Sequence, residues 1–297
     1  MLSVIIVNWN SGAQLKKCVQ SLINFGHDIG EIIIVDNNSS DDSMRMLPYS
    51  PKIKEIILEK NIGFGQACNV GAQSSSSPYL LFLNPDTYVL ENTIKDSVEF
   101  LQKDSSIGVL GVKLFDDDKV SRSCARDPSF FSLLSHSTGL SRLIKKTGYH
   151  MQEWDHLSSR YVDHVIGAFY MMPKNIFDKL GGFDPRFFVY FEDLDLSKRV
   201  KELGFNIFYN ANISAYHYGG GTSEGIKSTR LFYSLKSRIK FTDKHCSTLN
   251  KYFLIFIYLF VEPLIRVLNS IFKQDLPSVL EVIDAYKVLY EWFFSKG

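Results

Sequence analysis

Short runs of branched apolar residues alternate with helical patterns through the first third of the chain, and that alternation leaves few ways to fold. Residues 3–7, 32–35, 53–58 and 79–83 read as strands, while 14–23 and 64–73 carry apolar residues at helical spacing. Strands separated by helices predict an α/β class: a mixed, mainly parallel sheet with flanking helices. Residues 91–103 continue the pattern as an amphipathic helix, with Leu90, Ile94, Val98 and Leu101 on one face, and 108–112 supply another strand. From 113 to 160 the periodicity fades over a stretch too long for a simple connector, which reads as an insertion near the site. Order returns with 162–172, a short helix stopped at Gly181-Gly182, a helix over 192–203 stopped at Gly204, and two strands at 206–209 and 213–218.

With 297 residues and 45% hydrophobic content, the chain can bury one large core, or a core plus an appendage. Its formal net charge of +1 gives no general reason to expect nucleic acid as a partner. Cys18, Cys68, Cys124 and Cys246 are far apart with no C-x-x-C pair, the pattern of reduced thiols in a cytoplasmic protein. Asn8-Trp9-Asn10 interrupts the N-terminal apolar run before a signal-peptide core forms, which also predicts a cytoplasmic location.

After Gly225 the composition shifts. Lys227, Arg230, Lys236, Arg238, Lys240, Lys244 and Lys251 face only Asp243, and an apolar run follows over 252–261. That run is about half of the roughly 20 residues a spanning helix needs, and Glu262, Pro263 and Arg266 interrupt its continuation. The expected division is therefore a catalytic domain over 1–225 and a helical, membrane-associating segment over 226–297, lying on the cytoplasmic leaflet. A helix packed on the main domain is the plainer alternative.

Acids stand where the predicted strands stop or a helix starts: Asp36, Asp86 and the pair Glu192-Asp193. In an α/β protein this edge of the sheet gathers ligand chemistry. An acidic edge suits a diphosphate poorly unless a cation lies between them, so a divalent ion, Mg²⁺ or Mn²⁺, is expected. Asp36 opens a polar run that can hydrogen-bond a base or ribose, and the same run also fits an Asx-rich turn. Asn61-Ile62-Gly63-Phe64-Gly65 enters a helix through small residues that allow close backbone approach, though it matches neither G-x-G-x-x-G nor a P-loop. Asn84-Pro85-Asp86 fits an ordinary turn or a metal-binding carboxylate. Glu192 and Asp193 open a helix, where acids are common for electrostatic reasons alone, but the aromatic lead-in 187–191 would hold them in a partly desolvated cleft suited to a general base. His217, ahead of Tyr218-Gly219-Gly220-Gly221-Thr222-Ser223, fits either a structural histidine or a nitrogen ligand beside a closing loop.

Taken in order, VIIVNWN, VDNNSSDDS, NIGFGQACNVG, LNPD, GAFYMMPK, GGFDPRFFVYFEDLDLSKRV and YHYGGGTS resemble the family 2 glycosyltransferases of GT-A fold, in their bacterial rhamnosyltransferase-like branch. The resemblance implies inverting transfer from a nucleotide sugar (dTDP- or UDP-linked) to a lipid-linked saccharide acceptor, as in O-antigen polysaccharide biosynthesis. L-rhamnose is the favoured sugar; a UDP-hexose or galactofuranose donor, or a catalytically silent scaffolding subunit, are the alternatives. It places Asn8, Asp36, Asn38, Asn61, Gly63, Phe64, Asn69 and Asn84 around the donor, Asp86 and His217 on the metal, and Asp193 as the base. Asn84 stands where the family's D-x-D motif has its first acid, which leaves Asn84 a hydrogen-bonding role.

Overall fold

A computed structural model describes residues 1–218 and 227–295 and divides the chain into two compact units. The first holds Met1–Arg126, Trp154–Phe188 and the described residues from Glu192 onward up to Tyr218. The second holds Asp127–Glu153, Val189–Phe191 and the described C-terminal helices. The chain thus changes unit several times, where the sequence suggested one boundary at 225. Chain order alone does not reveal which distant segments share a core.

The sheet of the first unit has the order β3-β2-β1-β4-β11-β6-β12-β5. Its strands are β1 (Leu2–Asn8), β2 (Ile29–Asp36), β3 (Ile53–Ile57), β4 (Tyr79–Leu83), β5 (Thr87–Val89), β6 (Ile107–Asp116), β11 (Phe169–Pro173) and β12 (Asn206–His217). Short strands β7 (Lys119–Val120) and β9 (Arg160–Val162) pair at its margins, and β8 (Cys124–Ala125) pairs with β10 (His164–Val165). Strands β1 to β4 pair in parallel, β11 runs against both β4 and β6, and β12 is parallel to β6. The expected mixed, mainly parallel sheet is therefore present.

Helices α1 (Ala13–Phe25), α2 (Phe64–Gln73), α3 (Thr93–Lys103), α6 (Lys174–Lys179) and α7 (Glu192–Glu202) belong to this unit. Val4, Ile6, Ile32, Ile34, Leu81 and Leu110 are wholly buried in its core. Each such side chain contributes about 1.5–3 kcal/mol relative to exposure. The strands read at 206–209 and 213–218 are one strand, β12, with an irregularity between Asn210 and Ser214. The polar Asn210-Ala211-Asn212 looks like a turn in sequence, but Asn210 Oδ1 accepts the Asn212 N–H (3.0 Å) within a continuous strand.

The second unit is helical: α4 (Phe130–Ser137), α5 (Leu140–Leu143), α8 (Lys227–His245), α9 (Thr248–Phe256), α10 (Glu262–Phe272) and α11 (Leu276–Phe294). Part of the aperiodic stretch at 113–160 is thus the helical 127–153 segment of this unit. A π-helical turn, Ile257–Val261, joins α9 to α10, so Thr248–Phe272 is one helix of 25 residues. It is long and apolar enough to cross a membrane by length and composition. This corrects the expectation that Glu262 and Pro263 end the apolar segment. Pro263 lacks the N–H that would bond the Leu259 carbonyl within this helix, and the Tyr290 hydroxyl donates to that carbonyl instead (2.5 Å). Glu262 turns inward, 1% exposed, and pairs with Arg238 and with Arg266.

Candidate active site

Because β1, β2, β4 and β12 point the same way, their last residues share one sheet edge, and the reversed β11 begins there. Asn8 and Asp36 are register partners at the ends of β1 and β2. Asn8 Nδ2 donates to Asp36 Oδ1 and Ser43 Oγ (both 2.8 Å), and Ser39 N–H donates to Asp36 Oδ2 (3.1 Å). Both side chains are buried, so this loop is held in shape by its own bonds. Asn38 beside it is exposed, in the left-handed conformation at φ 66° that asparagine tolerates.

Asn37, which the sequence did not single out, is buried like Asp36 and links two loops. Its Nδ2 donates to Asn61 Oδ1 (2.9 Å) and its Oδ1 accepts from Ile62 N–H (2.9 Å). Asn61 Oδ1 also accepts from Gly63 N–H (2.9 Å). A string of short polar residues conceals which one turns inward, so no sequence signal marked Asn37.

Gly63 holds φ 92°, and a Cβ there would lie 2.4 Å from the carbonyl oxygen of Phe188, which accepts the Phe64 N–H (2.7 Å). Gly63→Ala is expected to destabilise the fold by about 1–3 kcal/mol through forced backbone strain. A denaturation midpoint equal to wild type would reject that contact. Asn69, further along α2, spends both ends of its amide on the Phe183 backbone, donating to the carbonyl and accepting the N–H (2.8 Å each). It braces that loop.

Asp193 lies in the first turn of α7, whose acids Glu192, Asp193 and Asp195 suit the positive end of a helix dipole. The chain enters this helix through Tyr190 and Phe191 at φ 66° and 68°, a left-handed pair rare for aromatic residues. Asp195 is wholly buried and accepts from Arg199 Nε (2.7 Å), while Arg199 also donates to Leu180 and Gly182 carbonyls. That ties α7 to the Gly181-Gly182 turn.

Asp193 Oδ2 accepts the Gly167 N–H (2.9 Å), and Oδ1 accepts the Leu194 N–H (2.8 Å). His164 Nε2 is 3.7 Å from Oδ2, with its Nδ1 2.9 Å from Ser197 Oγ. A Cβ placed on Gly167 would lie 3.5 Å from Asp193 Oδ2 and 3.7 Å from Phe64 Cε1. The carboxylate and the Phe64 ring therefore flank the same glycine.

The neighbouring residue, Ala168, anchors the other acid. Its carbonyl accepts the Asn84 N–H (3.1 Å) and Thr87 Oγ1 (3.2 Å), the bonds on either side of Asp86. One dipeptide at the head of β11 thus positions both Asp86 and Asp193 in a single region of the first unit. Asp86 is 9% exposed, with His217 Nε2 3.3 Å from its Oδ1, and Tyr218 N–H donates to its carbonyl (3.0 Å). Gln14, Lys17, Cys18, Asp86, Tyr88 and Tyr218 line a pocket of 310 Å³. The loop from Gly219 to Ser223 named in the sequence lies outside the described residues.

Two observations test whether a divalent cation fits here. Asp86 Oδ1 is buried without a hydrogen-bond donor in bonding geometry, although His217 approaches it. Among the described residues there is no group of three His, Cys, Asp or Glu side chains able to hold a metal. One carboxylate and one imidazole suit an ion whose remaining positions are filled by phosphate oxygens and water.

Glu192 differs from its neighbour. Burial, and next the charge of Asp193, hold its carboxyl well above the usual carboxylate range, and its Oε2 has no partner. A buried neutral acid is poorly placed to take a proton, which separates Glu192 from Asp193 as a candidate base. The shift also has a sign for stability. The native state keeps a proton that the unfolded chain loses near pH 4.5, so stability falls as pH rises from 4.5 toward the raised native value. Glu192→Gln is expected to flatten that decline and to be at least as stable as wild type at neutral pH. Parallel thermal midpoints of the two proteins across pH would contradict it.

The family model for glycosyl transferase family 2 matches residues 3–181. The N-acetylglucosaminyl-diphospho-decaprenol L-rhamnosyltransferase of Mycobacterium tuberculosis is 24% identical over 262 residues, 82% of this chain and 85% of that protein. The rhamnosyltransferase WbbL of Escherichia coli is 24% identical over 248 residues, 81% of this chain and 92% of its own length. Among solved structures, a mannosyltransferase from Pyrobaculum calidifontis in complex with GDP-Man and Mn²⁺ superposes with a TM-score of 0.57 at 13% identity, covering 97% of this chain and 75% of that one. That likeness shows the fold, GT-A, alone. With the family model spanning more than half of the sequence and the strand-end acids gathered on one edge, the chain belongs to glycosyl transferase family 2.

Proposed function

We propose that this protein is an inverting, divalent-metal-dependent glycosyltransferase that moves L-rhamnose from dTDP-L-rhamnose to a lipid-linked saccharide in surface polysaccharide assembly. The observation that carries the reaction is the Gly167-Ala168 dipeptide, on which both Asp193 and the Asp86 turn are anchored. The donor sugar and the lipid-linked acceptor rest on the similarity to relatives named as rhamnosyltransferases, one of them acting on a diphospho-decaprenol.

In a single displacement the acceptor hydroxyl oxygen forms a bond to the anomeric carbon while the bond from that carbon to the diphosphate oxygen breaks. The hydroxyl proton passes to Asp193, whose carboxylate Gly167 N–H and Leu194 N–H hold in place. Asp86 and His217 would hold the cation, and a bound divalent ion offsets negative charge on the departing nucleoside diphosphate. Asp36 and the Asn37–Asn61 link would shape the nucleoside side of the cleft, with Asn84 adding a hydrogen bond.

The deciding experiment incubates the protein with dTDP-L-rhamnose and UDP-hexoses, a diphospholipid-linked N-acetylglucosamine acceptor, and Mg²⁺ or Mn²⁺. Metal-dependent release of dTDP with an inverted anomeric configuration in the product is expected. A retained configuration would sink the mechanism. Nucleotide binding with no transfer from any sugar would reduce the protein to a binding subunit.

A further inference from the structure

The helix Thr248–Phe272 has an inverted surface. From position 249 onward, every residue of it that is exposed is apolar: Leu249, Tyr252, Phe253, Phe256, Phe260, Leu264, Leu268, Ile271 and Phe272. Its charged and packed side faces inward. Leu254, Ile257, Tyr258, Leu259 and Glu262 are buried in the second unit, where α9 packs on α8 and α4, and α10 on α11.

The π-helical turn explains how so long a stripe stays in line. A stride of four residues overshoots a full α-helical turn by about 40°, so the repeated strides from Phe256 to Phe272 would wind off the face. The wider turn at Ile257–Val261 absorbs part of that overshoot and sets the phase back midway. Leu264 and Leu268 thereby continue the side begun by Tyr252 and Phe256. A contiguous apolar surface of this length is rare on a protein that stays in water.

Charge indicates what covers it. Residues 226–297 hold eleven Lys and Arg against six Asp and Glu, a balance of +5, whereas the whole chain is +1, which leaves −4 for the rest. Lys251 and Lys273 stand at the two ends of the stripe. An apolar, aromatic-rich face within a basic unit is complementary to an anionic lipid surface.

We propose that this stripe is a membrane-docking surface that lies in the plane of an anionic bilayer, and that the helix does not span it. Spanning would carry the Arg238–Glu262–Arg266 cluster and the packed helices α8 and α11 to mid-bilayer depth, where charged side chains are strongly disfavoured. In the plane, the stripe sinks its rings and leucines into the headgroup boundary while the ion pairs stay on the protein side. The inference deepens the proposed lipid-linked acceptor and rests on that reading only for its biological sense.

The test floats the full chain with vesicles of phosphatidylcholine alone, or with phosphatidylglycerol added, and no sugar nucleotide. Wild type is expected to float with the anionic vesicles, and Phe256→Ser/Phe260→Ser/Leu264→Ser to lose at least tenfold in partitioning. Rhamnose transfer to a water-soluble, short-chain acceptor should be unchanged in that variant, so failure of the surface and failure of the reaction read out separately. A second measurement needs no apolar residue changed. In sealed vesicles bearing the protein outside, a membrane-impermeant maleimide should label both Cys246 and a cysteine placed by Lys273→Cys. Protection of one end would mean a spanning helix and overturn the proposal. So would a wild type that ignores both vesicles, a triple variant that floats equally, or a soluble dimer that the triple variant converts to monomer.

Discussion

Replacing Asp193 with Asn is expected to lower kcat by at least about a hundredfold while the Kd for the donor nucleotide stays within about twofold. General-base catalysis is worth roughly 10²–10⁴ in rate, and an amide takes up no proton at neutral pH. The substitution keeps the size of the side chain and an oxygen able to accept the Gly167 N–H, so the turn at 167 and 168 should hold its shape. Binding should survive because Asn8, Asp36 and Asn61 are held by bonds that do not pass through α7. Single-turnover rates and nucleotide titration separate the two quantities. A variant that retains wild-type kcat would remove Asp193 from the chemistry, and one that loses nucleotide binding equally would make it a structural residue.

Asp86→Ala, or chelation of the wild type, is expected to lower turnover by about 10²–10³, the loss typical of removing a main electrostatic stabiliser of a leaving group. Asp86 Oδ1 is a buried acceptor without a donor in bonding geometry, and removing it leaves His217 without its carboxylate neighbour. Added Mn²⁺ should restore the chelated wild type and leave Asp86→Ala inactive. Isothermal titration of Mn²⁺ in the presence of the nucleotide provides a second readout. Full activity in excess chelator would take both Asp86 and His217 out of metal binding.

Much of the sheet was visible in the sequence because a strand buried on both faces must be apolar along its length, as at Tyr79–Leu83. Its bounds were visible too, since polar residues at 8, 36, 84 and 86 stop the apolar runs at the edge where the site forms. Less was visible where a residue's role depends on a distant partner. Asn37 and Asn38 are alike in sequence, yet one bridges to Asn61 and the other faces solvent. Glu192 and Asp193 are adjacent acids, yet nothing in their order shows that the first turns inward, where burial holds its carboxyl well above the usual carboxylate range. In the C-terminal part, Glu262 reads as an interruption until its inward turn toward Arg238 is known.

By itself, the sequence determined the α/β class, the order of the elements and the acids at the strand ends, because these follow from local periodicity and from where apolar runs stop. Only the tertiary structure decided that burial raises the Glu192 carboxyl, that Gly167-Ala168 holds both Asp86 and Asp193, and which side of Thr248–Phe272 is apolar. Those properties come from contacts between residues far apart along the chain. Burial and hydrogen bonding are set by what lies beside a side chain in space, which local patterns do not encode.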